Sequence, residues 1–151
     1  MLHRSLFAML AMTGLLSACG PSHHEPREVD ARNPTVTYHY RGDQELMRAH
    51  QQAVAYCAQY HAVPESSKFS EGDEGHTVVF DCVPVPTDQR TTYNFAPETP
   101  YGYRDDRDLL EAARHAEIYC RNHGGRGAVS TVSVAPDGTK STSFRCEGSG
   151  Y

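Results

Sequence analysis

Five cysteines and nine histidines carry most of the reactive chemistry in this chain of 151 residues. Cys57, Cys82, Cys120 and Cys146 are widely separated, and no two stand as the close pair that structural zinc sites use. Disulfides are the chemistry such spacing suits, and four cysteines allow three connectivities. Cys19 stands apart near the start of the chain. His3, His23 and His24 precede the patterned region, while His39, His50, His61, His76, His115 and His123 are scattered through it. A metal-handling or enzymatic site built on these six remains the alternative function, although no two of them share the spacing of a zinc-binding helix. No nucleophile elbow, glycine-lysine phosphate loop or helix with paired histidines around a glutamate occurs. Gly124-Gly125-Arg126-Gly127 follows a helix end, where glycines cap and turn the chain rather than cradle phosphate. No catalytic residue, metal ligand set or cofactor is therefore assigned.

The elements that position the cysteines are duplicated. Asp43, Leu46, Ala49, Ala53, Tyr56 and Cys57 return, all at one constant offset, as Asp106, Leu109, Ala112, Ala116, Tyr119 and Cys120. Phe80 and Cys82 return as Phe144 and Cys146 at that offset lengthened by a single position. The apolar positions from Leu46 to Cys57 fall at spacings of three and four, which predicts one helix per copy with a thin, alanine-rich inward face. Asp43 is expected to cap the first helix, and the second is expected over residues 106–122. His50 interrupts the shared inward face, since Ala113 holds its place in the other copy, and a polar group there needs a partner. The duplication favours Cys57 with Cys82 and Cys120 with Cys146.

Strands frame the helices. Val36, Tyr38 and Tyr40 alternate with Thr35, Thr37 and His39, as in a half-buried strand. Residues 66–70 and 76–83 flank an acidic turn, Glu71-Gly72-Asp73-Glu74-Gly75, which lacks the ligand spacing of an EF-hand. In the second copy Thr91, Tyr93 and Phe95 predict the opening strand, and residues 128–134 and 139–146 a hairpin about Ala135-Pro136-Asp137-Gly138. Residues 96–104 read as an insertion without a counterpart in the first copy. Its prolines either present Tyr101 and Tyr103 to a partner or let both rings fold back over the core. The expected fold is α+β: two β-α-β-β units, residues 35–83 and 84–151, sharing one sheet and core. Both helices should lie on one face of an antiparallel or mixed sheet, with one disulfide per repeat. A lone copy of about 50 to 60 residues would be near the lower limit for an independent core.

The start of the chain has its own pattern. His3 and Arg4 precede an apolar run from Ser5 to Leu16 that closes on Leu16-Ser17-Ala18-Cys19. The run is well short of the about 20 residues a permanent membrane helix needs, so residues 1–18 read as a cleaved signal. These residues resemble the bacterial lipoprotein class, whose lipobox ends in an acylated cysteine that becomes the mature N-terminus. The resemblance implies a lipid on Cys19. Because Gly20 is not the aspartate that retains enteric members in the inner membrane, it implies anchorage on the periplasmic side of the outer membrane. Removing Cys19 from the count leaves an even four in an oxidising compartment. Residues 19–34, polar and proline-bearing, read as a flexible tether able to reach about 50 Å.

Charge bounds the partners. The chain carries 14 basic and 19 acidic residues, a net charge of -5, and all of the mature excess lies in residues 19–89. Nucleic acid is a poor match to such a surface. The expectation is a lipid-tethered, non-enzymatic binding or structural module of the cell envelope. Its partners would be the membrane, through the lipid, and an envelope protein or cell-wall component.

Overall fold

Val36, Tyr38 and Tyr40 are 0%, 2% and 1% exposed, so the alternation in strand β2 (Thr35–Tyr40) marks a strand with one face sealed in the core. The computed structural model describes residues 25–32, 34–86 and 97–148. In chain order they form β1 (Arg27–Arg32), β2, α1 (Gly42–Ala58), β3 (Ala62–Gly72), β4 (Gly75–Pro84), β5 (Tyr101–Gly102), α2 (Asp106–Asn122), β6 (Gly127–Val134) and β7 (Lys140–Glu147). Every strand pairing among them is antiparallel.

The strand orders are β1-β2-β4-β3 and β5-β7-β6. Omitting β1, each copy runs first strand, last strand, middle strand, and each places its helix between the first and middle strands in sequence. The fold is therefore an α+β duplication. Where one shared sheet was expected, hydrogen bonding divides the strands into two, one per copy, and what the copies share is the core. Its buried cluster draws Val36, Leu46, Ala53 and Phe80 from the first copy and Leu109, Leu110, Ala116 and Phe144 from the second. Helices and side chains close the seam where ladder bonds do not: α2 packs on β3 and α1 on β6. Leu46 and Leu109, equivalent and fully buried, each contribute roughly 2 kcal/mol by leaving water.

Each copy carries its disulfide, Cys57 to Cys82 and Cys120 to Cys146, both with Cα atoms 5.2 Å apart. The pairing ties the last full turn of each helix to the last strand of its own repeat.

Three further expectations need correction. Residues 27–32, read as part of the tether, form an edge strand on β2 with an irregularity between Glu28 and Asp30. An edge strand needs no apolar alternation, so its polar composition hid it. Residues 96–104 are not an insertion without counterpart: Tyr101 and Tyr103 follow Tyr38 and Tyr40 at the offset that relates the two helices, and β5 pairs with β7 as β2 pairs with β4. Gly102 and the flanking prolines had broken the alternation that marks β2. Asp43 does not cap α1, whose N-cap is Arg41 without a side-chain bond. The expected signal, Cys19, residues 20–24 and 33 of the tether and the expected strand at residues 90–95 lie outside the described residues.

Candidate functional site

The constant offset that aligns the copies also aligns their polar groups, and these meet at the seam. Tyr40 ends β2, and its equivalent Tyr103 follows β5; Asp43 and Asp106, in the first turns of α1 and α2, are related by the same offset. Each tyrosine reaches across to the aspartate of the other copy. Tyr40 Oη donates to Asp106 Oδ2 at 2.6 Å, and Tyr103 Oη donates to Asp43 Oδ2 at 2.7 Å. Two equivalent bonds thus run in opposite directions across a pseudo-twofold axis.

A third pair completes each half. His76 and Lys140, related by the same offset as Phe80 and Phe144, open the last strands and lie across the ladder from Tyr40 and Tyr103 respectively. The His76 ring stacks on Tyr40 with centroids 5.6 Å apart. Lys140 Nζ sits 5.7 Å over the Tyr103 ring and makes an ion pair with Asp43 Oδ2 at 2.9 Å.

The helix starts bring the aspartates there, but by different local routes. Gly42 enters α1 with a φ of +74, a left-handed conformation that glycine adopts without strain. Its counterpart, Asp105, is extended and caps α2 by accepting from Asp108 N at 2.9 Å. In both copies a carboxylate four positions on reaches back: Glu45 accepts from Arg41 N at 2.7 Å, and Asp108 from Arg104 N at 3.3 Å. Both aspartates of the seam sit where the helix dipole favours negative charge.

Burial, reinforced by the bond to Asp106, pushes the Tyr40 hydroxyl well above the usual tyrosine range. Burial and the bond to Asp43 do the same to Tyr103. Both phenols therefore stay protonated as donors. Tyr38, raised to about 12 by burial and then by the charge of Glu28, is likewise no phenolate near neutrality.

Beside these groups opens a cleft of about 830 Å³ that takes in Tyr40, Asp43, Asp106, His76 and Lys140, with Phe69, Glu71, Arg104 and Arg107 at its walls. Arg104 is held by Asp108 at 3.0 Å, and the Arg107 guanidinium lies 5.8 Å over the Phe69 ring.

Tyr101 and Tyr103 are not displayed on a loop. Tyr103 is 6% exposed and belongs to the core, and Tyr101 packs against it with its ring 6.3 Å from Phe144. The histidines stay apart. His39 Nε2 is 3.0 Å from the Glu74 carbonyl, and the His123 ring stacks on Tyr119. His115 is lowered, chiefly by burial. His61 has a φ of +55 where the second copy has Gly124 at +80, so it is a left-handed helix terminator rather than the partner of His123. His50 is buried edge-on against Phe80, lowered to about 4 by burial, and its Nε2 has no hydrogen-bond partner. Among the described residues no three metal-ligating side chains come together. Of the histidines, His76 joins the cleft.

Glu117 is a further buried acid, 1% exposed at the place held by Val54 in the first copy. It accepts from Arg121 Nε and from Ala128 N, and so binds α2 to the start of β6. Apolar positions and cysteines alone do not reveal the seam residues; the same offset applied to tyrosine and aspartate finds them. No protein-family model, curated protein or solved structure matches this chain.

Proposed function

We propose that this chain is a lipid-anchored, non-enzymatic binding module of the cell envelope. Cys19 holds it on the periplasmic side of the outer membrane, and the seam cleft engages an envelope protein or cell-wall component. The observation that carries this reading is the reciprocal pair of Tyr–Asp bonds. It fixes a polar cleft between two copies that are each stapled by a disulfide. The phenols are protonated donors already committed to carboxylates, an arrangement suited to a rigid recognition surface and poorly suited to nucleophilic catalysis. Two intact disulfides agree with an oxidising compartment. The lipobox supplies the anchor.

Because Tyr103 is buried, a photo-crosslinking residue belongs at the cleft wall, at Ser70 or Arg107. Val134, 62% exposed next to the Ala135–Gly138 turn, serves as the control. In intact cells the cleft positions should yield one reproducible adduct that Val134 does not. Absence of an adduct at both cleft positions, or equal adducts from Val134, defeats the proposal.

A further inference from the structure

The two halves of the seam differ in the group that stands beside each aspartate, and that difference bears on what the cleft binds. In the second half the Asp43 carboxylate accepts the hydroxyl of Tyr103 and also holds the Lys140 ammonium, at 2.9 Å from Oδ2 and 3.3 Å from Oδ1. In the first half Asp106 accepts the hydroxyl of Tyr40 with nearly the same geometry. The position equivalent to Lys140 is His76, whose ring stacks on Tyr40 at an interplanar angle of 29°. Among the described residues no cation lies within ion-pair distance of Asp106 or of neighbouring Glu71. The nearby guanidinium of Arg104 is engaged by Asp108, and that of Arg107 lies over Phe69. Both aspartates stand in the first turn of a helix, so the dipole serves them equally and does not explain why one needs a cation and the other none.

We infer that the Asp106 half of the cleft binds a primary ammonium group, seated against Asp106 as the Lys140 ammonium is seated against Asp43. Lys140 is an internal ligand that shows what this frame accepts: a carboxylate oriented by a phenol, with an aromatic ring beneath the cation. The first half offers the same carboxylate and phenol, has the His76 ring stacked on Tyr40 where the other half has a cation over Tyr103, adds Glu71, and opens to the cleft. The ammonium comes from a free amine or from a lysine side chain of a partner; the chemistry recognised is the same. This inference rests on the cleft being the binding surface proposed above and specifies what it binds.

The test uses the purified protein and small probes, so it stands or falls apart from the crosslinking in cells. Amide NMR spectra are recorded during titration with butylamine, with Nα-acetyl-lysine methyl amide and with the uncharged Nα-acetyl-glutamine methyl amide. The two ammonium probes should shift the amides of Asp106, His76 and Glu71 in a saturable manner, and the glutamine probe should not. Equal response to both amines identifies the ammonium alone as the ligand; a stronger response to the lysine amide identifies a peptide lysine. Asp106→Asn should weaken binding by roughly tenfold or more, as expected on loss of a charge-assisted contact. His76→Lys removes no bond from Asp106 and supplies the missing ammonium from within, so it should abolish the response and raise the melting temperature. No saturable shift with either amine, or an undiminished response in His76→Lys, overturns the inference.

Discussion

Replacing Tyr40 with phenylalanine deletes a single hydroxyl, and the seam makes its cost predictable. The ring is 1% exposed and keeps its packing, so the change removes the 2.6 Å bond to Asp106 and little else. A hydrogen bond to a charged group is worth about 1.5–3 kcal/mol, and Asp106 borders the cleft, where water can replace part of what is lost. The lower end applies: about 1.5 kcal/mol for Tyr40→Phe, and the same for Tyr103→Phe at the equivalent bond to Asp43. Against a total stability of about 5–15 kcal/mol, losing both is a substantial fraction. Urea unfolding with the disulfides intact measures each loss, and a double-mutant cycle of Tyr40→Phe with Asp106→Asn isolates the bond. The pH dependence adds a signature. Both hydroxyls are raised above the unfolded tyrosine value, so their contribution is complete below about pH 10 and is lost as pH climbs beyond it. The phenylalanine variants should lack that alkaline decline in proportion. Losses below about 0.5 kcal/mol, the scale of neutral surface changes, together with no coupling in the cycle, would refute the cross-brace.

Other expectations follow from single residues. His50 is lowered to about 4, so its neutral form stabilises the fold above pH 6.5 and that contribution fades between about 6.5 and 4; His50→Leu should narrow the stability difference between pH 7 and pH 4.5 by up to about 3 kcal/mol in urea titrations. Removing either disulfide by paired Cys→Ala changes opens a loop of about 26 residues and should cost about 3.5 kcal/mol on the chain-entropy account, read as a fall in melting temperature for Cys57/Cys82 and Cys120/Cys146 alike. His61→Gly relieves a left-handed conformation that the second copy already gives to glycine, and should raise stability by about 1 kcal/mol. Cys19→Ser should abolish lipid labelling and release the protein from the membrane fraction; continued labelling would contradict the anchor.

Both helices, both disulfides and the duplication were legible because they rest on apolar periodicity and cysteine arithmetic, which survive the gain of a single position between copies. Phe80 and Phe144 stand two positions before matched cysteines, and their strands follow. The seam was harder to read. Tyr101 and Tyr103 obey the offset, yet Gly102 has no side chain to complete an alternation, so the short strand β5 passed for a loop. Asp43 and Asp106 were visible as a matched pair, but an aspartate before a helix suggests a cap, and nothing local to either residue signals that its partner is a tyrosine of the other copy. Edge strand β1 shows the converse case: its backbone pairs although its composition lacks an apolar face.

The exchange variant His76→Lys/Lys140→His tests the central claim, that the seam consists of two equivalent half-sites of which one carries its own cation. Its net formal charge matches that of the native protein, and both aspartates keep their tyrosine donors. In amide NMR titrations with butylamine, the saturable shifts should leave Asp106 and appear at Asp43 with comparable affinity. Shifts that remain at Asp106, or that appear at neither aspartate, would contradict the account.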